Sequence, residues 1–259
     1  MVDVVPIRLG FVNAYLLKGE RPVLVDAGYS GMEERILDAV LAAGEEPSRL
    51  SLIVITHAHT DHYGSAAALR RITGALVACG DRAAADLKGG VDRHLAPAGP
   101  AGFVARSLLA LAPRPRPAAG LEPDLLFSGP ADLTRWGVDA SIVPTPGHTP
   151  GSISVVPLAA AAAWPEAPGG AAAAPEDLPW AIVGDLVFGK FTAPRSPRLP
   201  FFAADAAALA SNLRVFVRTE TVYPGHGGPL RGPDLGEIAR AADRLAERRN
   251  RSSAAGRPW

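Results

Sequence analysis

The apolar run Leu50-Ser51-Leu52-Ile53-Val54-Ile55 ends directly on Thr56-His57-Ala58-His59-Thr60-Asp61-His62-Tyr63-Gly64. A strand of the β-branched kind that is buried on both faces therefore delivers His57, His59, Asp61 and His62 at its end. Such a junction demands a fold that closes around a cation at a strand terminus. The chain has six histidines: three lie in this cluster, His148 sits in Pro146-Gly147-His148-Thr149-Pro150-Gly151, and His226 sits in Pro224-Gly225-His226-Gly227. Only His94 stands apart. Imidazole nitrogens suit zinc, copper, iron and nickel, and a carboxylate offsets the charge of a divalent ion. Mixed His and Asp donors without cysteine point to a catalytic site with open positions, because closed structural zinc sites lean on thiolates.

Each further candidate follows a short apolar run. Val23-Leu24-Val25 ends at Asp26-Ala27-Gly28, and Ser30 with Glu33 has the spacing of a capping box ahead of Ile36, Leu37, Val40 and Leu41. Residues Ser65 to Ile72 read as a helix. Ser141-Ile142-Val143 leads to His148, Ile153 to Val156 returns as a strand, Ala181-Ile182-Val183 leads to Gly184-Asp185, and Thr221-Val222-Tyr223 leads to His226. Strand ends are where open sheets place their sites, and the glycines and prolines around His148 and His226 allow sharp reversals beside a bulky ring. Strands interleaved with helices and hairpin returns predict an α/β chain with two sheets sandwiched between helices. The last helix is expected to be capped by Asp234 and Glu237 and to bury Leu235, Ile238, Ala242 and Leu245.

Composition narrows the function classes. With 259 residues, 48% of them hydrophobic, residues 1–259 are expected to form one domain with a substantial core. Lysine plus arginine equals aspartate plus glutamate at 26 each, which removes the basic footprint of a nucleic-acid binder. The single cysteine, Cys79, follows Ala75-Leu76-Val77-Ala78 and reads as a buried, inert thiol. The first 17 residues carry Asp3, Pro6, Arg8 and Asn13 and lack the core of a signal peptide, and no run approaches the roughly 18 apolar residues needed to cross a bilayer. The expectation is a cytoplasmic protein acting on a small molecule, with no nucleic-acid or membrane partner. Two segments read as elaborations: residues 81–129, with a helix over Ala101 to Ala112 followed by Pro113-Arg114-Pro115-Arg116-Pro117, as a cover over the site, and the low-complexity residues 159–179 as an exposed connection.

His57-x-His59-x-Asp61-His62, His148 in a Gly-His-Thr turn, Asp185 after Gly184 and His226 in Pro-Gly-His-Gly together resemble the metallo-β-lactamase superfamily, in its glyoxalase II and lactonase-like branch. The likeness runs from Asn13-Ala14-Tyr15 and Asp26-Ala27-Gly28 to Gly227. It implies a four-layer αββα sandwich. It further implies a first metal held by His57, His59 and His148, a second held by Asp61, His62 and His226, Asp185 bridging the two, and Asp26 supporting a ligating histidine from behind. The cofactors implied are two divalent metal ions, zinc first, with iron and manganese as the other candidates.

Two cations would lower the pKa of a water between them, so the expected activity is attack of a metal-bridging hydroxide on an ester-like bond, a thioester or a lactone. Asp61 is also a candidate proton shuttle. No Gly-x-Ser-x-Gly is present to supply a serine nucleophile. Some lactonase relatives place a tyrosine three residues after the bridging aspartate, where this chain has Phe188; Tyr63 either substitutes or packs. The alternative class is a persulfide dioxygenase-like oxidoreductase, with one iron on residues matching His57, His148 and Asp185.

Overall fold

The computed structural model describes residues 2–90, 96–111, 117–164, 177–190 and 197–254. His94, most of the connection 159–179 and the Arg114/Arg116 stretch lie outside them. Among the described residues, strands β1 (Asp3–Arg8), β2 (Asn13–Lys18), β3 (Val23–Val25), β4 (Leu52–Ile55), β5 (Leu76–Gly80) and β6 (Leu125–Phe127) make one sheet in that order. The first three run antiparallel and β3 to β6 parallel. Strands β7 (Ala131–Asp132), β8 (Ala140–Pro144), β9 (Ile153–Pro157), β10 (Trp180–Phe188) and β11 (Thr221–His226) form the second, antiparallel except for the parallel pair β10 and β11. The helices are α1 (Glu33–Ala42), α2 (Thr60–Tyr63), α3 (Ala66–Thr73), α4 (Ala84–Gly89), α5 (Pro100–Leu111), α6 (Ala206–Val215) and α7 (Leu235–Ala254).

The period of two along the strands sorts the apolar residues into layers. Leu24, Ile53, Ile55 and Val77 face Ile36, Val40 and Leu69 of α1 and α3. Val23, Val25, Leu52 and Val54 face the other way, meeting Ala140, Ile142, Val155 and Ile182 of the second sheet. Ala181 and Val183 of β10 turn outward onto Leu209 and Leu213 of α6 and Leu235 and Leu245 of α7. The architecture is therefore the αββα sandwich, with apolar residues on both faces of the central strands. Cys79 is buried in the first of these layers, and burial, with Asp81 nearby, pushes its thiol up to about 12.

Two capping expectations are corrected. No side chain caps α1: the Ser30 hydroxyl donates to the Gly64 carbonyl at 3.2 Å, and Glu33 Oε2 accepts from Ser65 Oγ at 3.0 Å. Both groups are captured by the chain that follows the histidine cluster, and the Met32 N–H is met by Ser65 Oγ at 2.9 Å. The start of α1 is thus fastened to the histidine loop. Ahead of α7, Asp234 closes back on the Arg231 N–H at 3.2 Å through a short turn, Gly232–Asp234, that carries Pro233, so the cap sits three residues earlier than the Asp234–Glu237 spacing implies. The buried stripe Leu235, Ile238, Ala242 and Leu245 is as expected. Helix α5 leaves Phe103, Val104, Leu108 and Leu111 exposed.

Candidate metal centre

Three strand ends and the interior of a fourth strand bring the candidate donors together. His57 follows β4, and a reversal through His59 opens the single turn α2, which carries Asp61 and His62. Gly147, at φ 146°, passes against the Leu209 backbone, which a Cβ would meet at 2.6 Å, and turns the chain back at His148. Asp185 projects from inside β10, and His226 ends β11. The donor atoms form two groups, His57, His59, His148 and Asp185 in one and Asp61, His62 and His226 in the other, each within 4.8 Å.

The spacing is that of ligands sharing an ion. Nitrogens placed tetrahedrally at 2.0–2.1 Å from a metal stand about 3.3 Å apart. His57 Nε2 lies 3.1 Å from His59 Nδ1, and His148 Nε2 lies 3.0 Å from the same atom. In the other group His62 Nε2 and His226 Nε2 are 3.3 Å apart, and Asp61 Oδ2 is 3.2 Å from His226 Nε2. Asp185 Oδ2 reaches both, at 3.6 Å from His148 and 3.3 Å from His226. Asp185 Oδ1 is buried 3.4 Å from His62 Nε2, so the charge of this carboxylate is offset either by a proton on that ring or by a metal ion that replaces it.

The far side of four rings decides which nitrogen faces inward. The Nδ1–H of His148 donates to the Phe202 carbonyl (2.8 Å), that of His226 to the Phe11 carbonyl (3.0 Å) and that of His62 to Asp26 Oδ2 (2.8 Å). His57 Nδ1 meets Thr56 Oγ1 at 3.1 Å, whose own proton goes to Asp26 Oδ2 at 2.8 Å. These bonds keep a proton on each Nδ1 and turn each Nε2 into the site, where its lone pair is available to a metal once any proton there has left. Asp26, at φ 62°, sits in the left-handed region that aspartate tolerates, and its other oxygen accepts from the Thr56 N–H at 2.8 Å. One carboxylate thus grips the end of β4 and the ring of His62.

Sequence reading did not single out Thr56, Phe11, Phe202 or Gly225 as site residues. Gly225 leaves the space that Asp185 and His62 fill, and Asn13 and Tyr15 fasten its turn through bonds to the Pro224 carbonyl at 3.0 and 2.6 Å. Tyr63 packs in the helix-facing core, while Phe188 lies with its ring 4.7 Å from that of His226.

Residues 7–157 match the family model of the metallo-beta-lactamase superfamily. The chain belongs to that superfamily. Among curated proteins it is 33% identical over 148 residues to the uncharacterized protein YobT of Bacillus subtilis (strain 168), 55% of each chain, so the match spans about half the length of that relative. Solved metallo-β-lactamases share the fold. A Cronobacter sakazakii metallo-β-lactamase with a HARLDQ motif aligns with a TM-score of 0.61 at 17% identity over 97% of this chain and 92% of that one. BJP-1, a subclass B3 metallo-β-lactamase of Bradyrhizobium japonicum, gives 0.56 at 18% over 98% and 92%.

Electrostatics differ between the two donor groups. Burial, aided by the neighbouring His62 and His59, holds His57 well below the ordinary histidine range, and burial with His59 takes His148 down to about 4. Burial would lower His62 and His226 as well, but Asp185 leads the nearby carboxylates in overriding it: His62 is held well above its usual range and His226 at about 10. Burial opposes ionisation of Asp61 and Asp185, yet the same two histidines keep both well below the usual carboxylate range. In the metal-free protein protons are thus favoured on the His62 and His226 pair and disfavoured on His57 and His148. Because the His226 pKa is raised on folding, its contribution to stability is complete below pH 6.5 and is lost as pH rises through about 10. Metal must displace these protons, so uptake by Asp61, His62 and His226 is expected to strengthen about tenfold per pH unit for each proton released, while uptake at His57 and His148 stays nearly flat near neutrality. Zinc titration calorimetry in two buffers of different ionisation enthalpy at pH 7 reads this; absence of proton release would contradict it.

Proposed function

We propose that the chain is a metal-dependent hydrolase of an ester-like bond, a thioester or a lactone, working with two divalent ions. The observation that supports the reading is Asp185 Oδ2, which belongs to one donor group and also lies beside the other, 3.3 to 3.9 Å from His226, His148 and His57. The donor set of Asp61, His62 and His226, with ligand-like spacing of its own, supports two ions rather than the one of a mononuclear dioxygenase. Imidazole and carboxylate donors without thiolate favour zinc, with iron or manganese accommodated. Divalent ions held there supply a hydroxide nucleophile near neutral pH and Lewis acidity toward a carbonyl.

The chain's own groups do the remainder. Rings locked through Nδ1–H keep the donors preorganised, so little rearrangement accompanies charge development. Asp61, whose side chain is 18% exposed where those of His62 and Asp185 are almost wholly buried, stands at the open side, positioned to orient water or carry a proton outward. Phe11, with its ring 4.6 Å from His226, and Phe188, 5.1 Å from Phe201, form an apolar wall on one side. A small pocket beside His59, lined by Ala58, Arg82, Ala83, Asp86, Thr149 and Pro150, brings Arg82 and Asp86 close to the donor set. The wall suits an acyl group.

The test is metal analysis of protein purified without chelator, followed by a screen of thioesters, lactones and phosphodiesters. Two ions per chain with turnover of a thioester or lactone is expected; one iron with sulfur oxygenation overturns the reading. On the substrate found, Phe11→Ala is expected to raise KM about 10-fold for the longest acyl chain with little change in kcat, the scale of losing apolar contact with one side chain. An unchanged chain-length profile would show that Phe11 does not line the acyl side.

A further inference from the structure

His148 lies beyond the end of β8, and what fixes it comes from elsewhere in the chain. Its Nδ1–H donates to the Phe202 carbonyl at 2.8 Å, its own carbonyl accepts from the Ala204 N–H at 3.0 Å, and the Gly147 carbonyl accepts from the Asp205 N–H at 2.9 Å. The segment 201–205 is therefore the frame in which His148 sits. That frame is paired on its other edge with residues 96–98: the Ala203 N–H donates to the Ala96 carbonyl at 3.0 Å and the Ala98 N–H to the Phe201 carbonyl at 2.7 Å, around an isolated bridge between Pro97 and Phe202.

Two short segments, more than a hundred residues apart in sequence, need something to hold them in register. Arg249, near the end of α7, bonds to both. Its Nη1 donates to the Ala203 carbonyl at 3.0 Å, and its Nη2 donates to the Ala96 and Pro97 carbonyls at 3.2 and 3.1 Å. A planar guanidinium presents donors in a fixed fork, so one side chain spans two backbones; an ammonium on a flexible stem does this poorly.

We propose that Arg249 is a positioning residue for the metal centre, locking residues 96–98 to residues 201–203 so that the Phe202 carbonyl holds the His148 ring with Nε2 facing inward. The proposal rests on the metal-centre reading. It gives residues 96–98 a part in setting ligand geometry and makes the C-terminal helix a component of the site, although Arg249 touches no donor atom. Partners that orient a ligating histidine are worth 10–100-fold in metal affinity, so Arg249→Ala is expected to weaken binding at His148 about 10-fold.

The experiment is cobalt(II) titration, with absorption of the bound ion and the ¹⁵N–H signals of the histidine rings as readouts, on wild type, Arg249→Ala, Arg249→Lys and Arg214→Ala. The last breaks the Arg214–Asp243 pair, which also fastens α7 but to α6 rather than to the frame. Arg249→Ala is expected to bind the ion of the His57, His59 and His148 group about 10-fold more weakly, to alter its absorption and to shift the His148 Nδ1–H signal while leaving that of His226 in place. Added guanidinium ion is expected to restore the cobalt spectrum. Arg249→Lys, expected to fall between alanine and wild type, carries the test should the alanine variant not fold. Wild-type binding in the folded Arg249 variants, or an equal loss in Arg214→Ala, overturns the proposal alone. A wild type that takes up no cobalt overturns it together with the metal-centre reading.

Discussion

Gly225→Ala is expected to strip both donor groups of metal and to lower hydrolysis roughly 100-fold or more, beyond the 10–100-fold typical of damage behind a ligand. A Cβ at this position would lie 2.3 Å from Asp185 Oδ1 and 2.5 Å from His62 Cε1. Neither can yield, because His62 is fully enclosed and Asp185 is 5% exposed. The glycine is required here for the absence of a side chain, since its backbone does not adopt the left-handed conformation. Overpacking of this kind costs about 1–3 kcal/mol, so the variant is expected to fold with a lowered Tm. Metal content per chain and turnover, measured beside a thermal melt, read the result. A variant that melts lower but keeps two ions and full turnover would show that the two donor groups tolerate displacement.

Asp61→Asn is the second large effect. In the two-ion hydrolase Asp61 is the anionic donor proper to its group, 3.2 Å from His226 and 3.9 Å from His62, and it adds its charge to that of the shared Asp185 beside two neutral rings. The amide is expected to weaken that ion and cost hydrolysis at least about 10-fold. In the mononuclear-iron alternative, with the metal on His57, His148 and Asp185, the same change leaves metal content and activity intact. Stoichiometry and turnover of variant and wild type, side by side, separate the cases; retention of two ions and full hydrolysis in the variant would remove Asp61 from the donor set.

The strand ends and the αββα layering were legible because they are written in local pattern: the period of two, continuous β-branched runs, and glycine-flanked turns. The candidate donors were legible because histidine is scarce in this chain and clusters where strands stop. What oriented them was not. Phe11 and Phe202 act through backbone carbonyls, which every residue carries, so no residue type advertises the role. Thr56 was hidden beside a conspicuous neighbour, although its place between Asp26 and His57 gives it two partners. The caps failed for a tertiary reason: Ser30 and Glu33 have helix-start spacing, but the loop after the histidine cluster offers them better partners than the helix does. In residues 81–129 the helix ends within a residue of the expected span, whereas the placement of residues 96–98 against 201–203 has no sequence signature, because two-residue pairings carry no periodicity.

The crossing of sequence distance at the metal centre also sets a time order. His59 and His148 are 89 residues apart, His62 and His226 are 164 apart, and the bond from His226 to Phe11 closes a span of 215. Contacts of such separation are among the last to form, because loop-closure entropy is spent before they return anything. The donor cage is therefore expected to come into being only when the two sheets dock, late on the folding route. Ions entering a cage completed after the transition state slow unfolding and leave the folding rate nearly untouched. A chelator added to this protein is thus expected to act as a clock, shortening the life of the folded state while the chain still finds that state at its old pace.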